Sequence, residues 1–218
     1  DPPQPRRVSP TLRTIRHRIL AAYRGQEYYH GDRKSGHGGY RYDGRWGPIA
    51  ANMCREYGFS EQSSVLQIGC EMGYLLHEFL QIHPAMKVRG TDLSEYPIEH
   101  ALPSVKQRIQ KAPYTALPFD RGEFDFVIGL GVVYELNLAD AIQCLEEIQR
   151  VGKGKSFITL GAYKTQEDLM LLRYWSLLGT TFLREDEWVE VLNHVGYTGD
   201  YKFNTAESLG LVLIEESR

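Results

Sequence analysis

Ser64-Val65-Leu66-Gln67-Ile68-Gly69-Cys70-Glu71-Met72-Gly73 reads as a buried strand that turns sharply into a helix. The apolar run is short and ends on glycine, and the next helical pattern follows at once over Gly73–His83. Lys87–Asp92 repeats the motif as a second strand, followed by a largely helical stretch over Tyr96–Gln110. A short third strand and turn is expected in Tyr114–Phe119, a fourth strand over Phe124–Leu130 and a fifth over Ser156–Leu160. Between the last two lies an amphipathic helix, Leu138–Val151, with Ala141, Ile142, Leu145, Ile148 and Val151 on one face. Strands alternating with helices of this length predict a parallel sheet covered by helices on both faces. Arg184–Val195 reads as a further helix stopped by Gly196, and the tail holds two strand-like runs, Asp200–Phe203 and Leu209–Ile214, suggesting a terminal antiparallel pair.

The chain has 218 residues, a formal charge of −3, 42% hydrophobic and 24% charged residues. This is ordinary globular composition, long enough for one substantial core. Near-neutral charge argues against a nucleic-acid backbone as the main partner. There is no apolar run of about 20 residues, so no membrane span is expected. The N-terminal DPPQPRRVSP has no apolar signal core, and a cytoplasmic location is expected. Three widely spaced cysteines, Cys54, Cys70 and Cys144, suggest neither a disulfide framework nor a metal site. Cys54 and Cys144 fall in helical patterns and read as small core residues.

Thr11–Tyr23 reads as a short basic amphipathic helix carrying Leu12, Ile15, Ile19 and Leu20, packed on its own domain or offered to a partner. Residues 25–46 are rich in glycine, aromatics and basic side chains and almost devoid of aliphatics. Such a loop is either functional or disordered, and its aromatics favour a lid or binding loop. The division expected is 1–44 as an N-terminal helix and aromatic lid, and 45–218 as the main domain.

The turn after strand 1 and Asp92 at the end of strand 2 point to a nucleoside-containing cofactor. Glycines let the backbone approach a ligand, and a carboxylate some twenty residues on accepts both ribose hydroxyls. A strand-to-helix turn with no ligand is the plainer reading of Gly69 and Gly73 alone. The spacing is GxxxG rather than GxGxxG, and Glu71 would set negative charge beside a pyrophosphate. S-adenosylmethionine (SAM), which has no phosphate and a cationic sulfonium, suits that position better than a dinucleotide.

VLQIGCEMGYL, VRGTDLS and ALPFDRGEFDFVIGLGVVYEL, in that order, resemble the motifs of the class I SAM-dependent methyltransferases, in the small-molecule, methyltransferase type 11-like group. The resemblance spans residues 45–215. It implies a Rossmann-like, doubly wound α/β sheet of about seven strands with strand 7 antiparallel beside strand 5. By position it implies that Gly69, Cys70, Glu71 and Gly73 meet the methionine part of SAM. Asp92 would hold the ribose and Leu93 would pack on adenine. Tyr114, Thr115 and Ala116 would surround the adenine edge, with Leu130 and Gly131 below the sulfur. The family's strand-1 acid is Gln67 here, and its acid before LPF is Pro113. The loop motifs also resemble an uncharacterised bacterial subset of the family.

Methyl transfer needs alignment, water exclusion and, for a protonated acceptor, a base. His37, flanked by glycines, and Tyr134, after strand 4, are the candidate proton acceptors; a packing role is the plainer reading of Tyr134. Arg33, Tyr40, Tyr42 and Trp46 of the loop, Tyr163 after strand 5 and Trp175 are candidates for meeting the acceptor. Glu135 follows Tyr134 and equally suits a helix start. The expected function is methyl transfer from SAM to a small molecule, such as a sugar or secondary-metabolite intermediate. No tetrad of the Asn-Pro-Pro-Tyr kind follows strand 4, which argues against amino-group methylation in the nucleic-acid style. A homodimer is compatible with the sequence. Gln67 and Pro113 also support a non-catalytic SAM-fold protein, and an NAD(P)-dependent oxidoreductase is a third, weaker reading.

Overall fold

The computed structural model describes residues 5–214. In chain order its elements are β1 (Arg6–Val8), α1 (Ile15–Ala22), α2 (Gln26–Tyr29), α3 (Gly47–Tyr57), β2 (Ser64–Ile68), α4 (Tyr74–Ile82), β3 (Lys87–Asp92), α5 (Glu95–Glu99), β4 (Ile109–Lys111), β5 (Phe126–Gly129), α6 (Leu138–Val151), β6 (Ser156–Tyr163), α7 (Gln166–Trp175), β7 (Leu183–Arg184), α8 (Glu185–His194), β8 (Asp200–Asn204) and β9 (Leu211–Leu213). Seven strands form one sheet in the order β4-β3-β2-β5-β6-β7, with β8 also paired to β6. The fold is the expected Rossmann-like α/β arrangement.

Side-chain alternation along the strands sorts the core into two layers. Leu66 and Ile68 of β2, Val127 of β5 and Ile158 of β6 pack under Ala141, Leu145 and Ile148 of α6 and Trp188 of α8. Val65, Val88 and Phe126 point the other way, onto Met53 of α3 and Leu75, Leu76 and Phe79 of α4. Cys54 and Cys144 are buried in these layers as small core residues, and Cys70 is buried too; all three are free thiols.

Three sequence expectations are corrected. The third strand is Ile109–Lys111, and Tyr114–Phe119 is a turn. The Tyr96–Gln110 helix stops at Glu99, and Pro103 lies in the irregular stretch that follows. The expected antiparallel strand 7 is absent among the described residues: β8 pairs with β6 in parallel, Phe157 opposite Asp200 through Gly161 opposite Asn204. The last strand leaves that sheet altogether. β9 pairs in parallel with β1, Arg6 opposite Leu211 and Val8 opposite Leu213. The attraction is apolar: Val8, Ala206 and Leu211 share a buried cluster with Leu171 and Leu172 of α7.

The basic helix is also shorter than expected, and it faces the other way. Ile15 and Ile19 are 73% and 52% exposed. What it gives the body is cationic: Arg13 and Arg18 donate to the main-chain carbonyls of Trp175 and Arg173, and Arg18 to that of Ser176 at 2.5 Å. Those are the orphan carbonyls at the C-terminal end of α7, where the helix dipole favours positive charge.

Candidate active site

Strand order reverses between β2 and β5, and the crevice at their carboxyl ends is where open α/β sheets bind ligands. β2 runs out at Gly69, whose φ is +62°. A Cβ there would stand 2.2 Å from Val132 Cγ1, so only glycine lets the turn pass beneath the loop that follows β5. Glu71 then adopts φ +51°, a left-handed conformation uncommon outside glycine. In that pose its N–H donates to Asp92 Oδ2 at 3.0 Å, while the Ser94 N–H donates to Asp92 Oδ1 at 3.0 Å. Asp92 is 1% exposed. Burial pushes its carboxyl up to about 6, with the Glu71 charge adding to it, against the pull of the two backbone donors.

The N-terminal segment lies over this edge. Ser94 Oγ donates to the Arg24 carbonyl at 2.8 Å, and the Arg24 guanidinium meets Glu135 Oε2 at 2.6 Å. Burial raises the Glu135 carboxyl, and Arg24 opposes that rise. Burial likewise works against the Arg24 charge, but Glu135 more than restores it. His37 is fixed by its glycine neighbour. Gly36 sits so close to Tyr28 that a Cβ would fall 1.8 Å from the Tyr28 carbonyl oxygen. The His37 N–H donates to that same carbonyl at 2.8 Å. The imidazole stacks on Tyr29, with ring centres 5.6 Å apart, and its Nε2 lies 3.0 Å from Glu71 Oε1.

Three cavities run in sequence along the edge. The first, about 100 Å³, gathers Gly69, Cys70, Glu71, Asp92, Tyr114 and Leu130, with Tyr40 and Trp46 of the loop. It shares Tyr28, Leu130 and Glu135 with a second of about 220 Å³, which holds Arg33, His37, Gly131, Tyr134 and Trp175. Among the residues singled out from the sequence, Tyr40, Trp46, Gly69, Cys70, Glu71, Asp92, Tyr114 and Leu130 line the first cavity, and Arg33, His37, Leu130, Gly131, Tyr134 and Trp175 the second. The sequence reading missed Arg24, Tyr28, Tyr74, Leu75 and Val132 as lining residues of the first. Only Val132 had a local signal, in the Gly-Leu-Gly-Val run after the fourth strand; the others arrive by long-range packing.

The remaining expected residues lie elsewhere. Gly73 caps α4, where a Cβ would meet Val105 and Ile109. Leu93 packs on the α6 layer. Thr115 is half-buried and Ala116 exposed in the turn after β4. Tyr42 donates to Glu78 Oε1 at 2.9 Å, outside these cavities. Tyr163 packs against the Leu171–Leu172 cluster.

Gln67 Oε1 and the Tyr114 hydroxyl are buried with no hydrogen-bond partner among the described residues, and both residues line the first cavity. Buried polar atoms left unpaired are costly, so two in one cavity mark a polar ligand's place. Gln67 offers an acceptor suited to an ammonium, Asp92 a carboxylate suited to vicinal hydroxyls, and the Gly69 turn a backbone surface free of side chains. These residues fit SAM. The volume does not yet: ligand pockets typically run to roughly 300–1,000 Å³.

Residues 65–155 match the family model described as a methyltransferase domain. That match runs from β2 to the residue before β6, and it is to a methyltransferase domain that this stretch is similar. Among solved structures, the fold is similar to YcgJ of Bacillus subtilis (19% identity, TM-score 0.56, covering 67% of this chain and 66% of that one). It is also similar to a methyltransferase structure from Bacillus halodurans C-125 (15%, 0.54, 68% of each chain). A third is the magnesium protoporphyrin IX methyltransferase of Synechocystis PCC 6803 with bound S-adenosylhomocysteine (SAH) (17%, 0.54, 69% and 71%). No curated protein matches the sequence. No helix among the described residues is long and apolar enough to cross a membrane.

Proposed function

We propose that this protein transfers a methyl group from SAM to a small-molecule acceptor seated in the 220 Å³ cavity beside Leu130 and Gly131. The observation that carries this is the junction of that cavity with the one holding Gly69 and Asp92, through Tyr28, Leu130 and Glu135. A pocket of that size suits a small molecule rather than a peptide or a nucleic-acid strand. SAM, when bound, supplies an electrophilic methyl and leaves as SAH.

The protein's own residues orient the partners and take the proton. His37 Nε2 lies 3.0 Å from Glu71 Oε1, and a proton held there between ring and carboxylate leaves Nδ1 as the nitrogen that can accept. Burial raises the Tyr134 phenol, so it keeps its proton and serves as a donor to the acceptor. Arg33 and Trp175 line the far side of the pocket. Residues 24–46 act as a lid: the first cavity is too small for SAM until they move.

A second reading, a SAM-fold protein that binds without transferring, is favoured by that same small volume. Calorimetric titration with SAM and SAH separates the outcomes. Micromolar binding by the wild type, lost in Asp92→Ala, is expected, followed by turnover with an acceptor. Binding without turnover on any acceptor panel favours the second reading. Folded protein that binds neither ligand, or that retains NAD(P), sinks the methyltransferase assignment.

A further inference from the structure

The third cavity in the row is the largest, about 530 Å³. It shares Arg13, Arg33 and Trp175 with the acceptor pocket, so the two are continuous. Its cations are Arg6, Arg7, Arg13, Arg33 and Lys34, against a single carboxylate, Asp32. Among the described residues none of the five forms an ion pair. Asp32 is turned to local work, with Oδ1 accepting from the Lys34 N–H at 2.6 Å.

This is an unusual concentration of charge. The whole chain is net negative, at −3, yet it gathers these cations from three separate stretches, β1, the turn before α1 and the lid loop. Like charges at close range repel. Arg13 feels it: burial and then the neighbouring Arg33 lower its guanidinium to about 10. An arrangement that repels itself, with five cations to one carboxylate and no ion pair among the described residues, is relieved by a bound anion. Arginine forks match phosphoryl oxygens in pairs, and Arg6 with its guanidinium 5.8 Å from the Trp175 ring centre is held ready by the aromatic face.

We propose that this basic cavity binds the phosphoryl group of a soluble small-molecule acceptor, whose reactive end reaches through the shared Arg13–Arg33–Trp175 wall to the pocket beside Leu130 and Gly131. The inference rests on the methyltransferase reading for what the acceptor undergoes, and on the cavity alone for what it binds.

Pyrophosphate is the probe. It is titrated into the full chain, with and without SAH, for wild type and for Arg7→Gln/Lys34→Gln, two exposed positions outside the cofactor cavity. The wild type is expected to bind pyrophosphate more tightly than tricarballylate, with affinity falling as salt rises. The double variant should lose at least tenfold in pyrophosphate affinity while keeping its SAH affinity and its melting temperature. Equal pyrophosphate binding by wild type and variant overturns the proposal. So does tricarballylate binding as tightly as pyrophosphate, or capture by phosphatidylglycerol vesicles with no binding of the free anion. Pyrophosphate binding that survives when wild type fails to bind SAH leaves the anion site standing and removes the cofactor reading.

Discussion

Asp92 meets two opposing demands. It must be ionised to accept the hydroxyls of a ribose, yet it is buried, and burial holds its carboxyl up to about 6. The folded protein therefore keeps this proton to higher pH than the unfolded chain, whose reference is 3.8. Stability from that difference is full below the lower value, falls as pH rises between the two, and is level above about 6. Two pKa units correspond to about 3 kcal/mol. Denaturant melts at pH 4 and pH 7 should show a loss of that order in the wild type that is much smaller in Asp92→Asn. SAM binding runs the other way. Below pH 6 its dissociation constant should rise by up to about tenfold per pH unit, read by calorimetry at pH 7.5 and 5.0. His37→Gln tests the proton acceptor: it should lower kcat by about 100-fold, the usual worth of a general base, with SAH affinity nearly unchanged. These positions were legible because chemistry restricts the residue types: a glycine turn, an acid at a strand end, a histidine among glycines. Arg24 was not, since nothing near it in sequence announces Glu135 as its partner 111 positions away.

Trp188 shows what one element rests on. It is fully buried, and its indole N–H donates to the Gly161 carbonyl at 2.9 Å, tying α8 to β6. Trp188→Ala should cost about 3–5 kcal/mol of stability. Trp188→Phe should cost less, about 1–3 kcal/mol, because it keeps most of the area but leaves that buried carbonyl unpaired. Chemical denaturation checks both. At this scale the strands β2, β3, β5 and β6 and the helices α6 and α8 could be read from the sequence, the strands as short runs with buried positions and the helices by a periodic buried face. β4 could not: Ile109–Lys111 is three residues long with one buried side chain, and the more apolar Tyr114–Phe119 drew the reading away. The direction of β8 and the departure of β9 are set by distant partners, Phe157–Gly161 and Val8, which no local pattern names.

For the molecule as a whole, the proposed lid would decide whether a ligand enters. Tyr29 is fully buried with Met72 and Tyr74, and Arg24 is paired to Glu135 across the crevice. Beneath them the cavity measures about 100 Å³, well short of a roughly 300 Å³ ligand pocket. Admitting SAM would then displace the lid, which in the proposed bound state closes again, higher, over the ligand and must reopen before the ligand can leave. Arg33, Lys34, Arg41 and Arg45 are exposed trypsin sites within it. When cleavage requires an open form, its rate follows the population of that form, and a ligand trapped beneath lowers the population by the factor 1 + [L]/Kd. At SAH a hundredfold above its dissociation constant, cleavage within residues 33–45 should slow by at least tenfold, read by mass spectrometry of the fragments. Asp92→Ala should lose the protection, which ties it to the site rather than to any effect of SAH on trypsin. Unchanged cleavage in wild type that demonstrably binds SAH would mean that the segment stays put, and that room for the cofactor comes instead from the Tyr114 and Val132 side chains packed against Gly69.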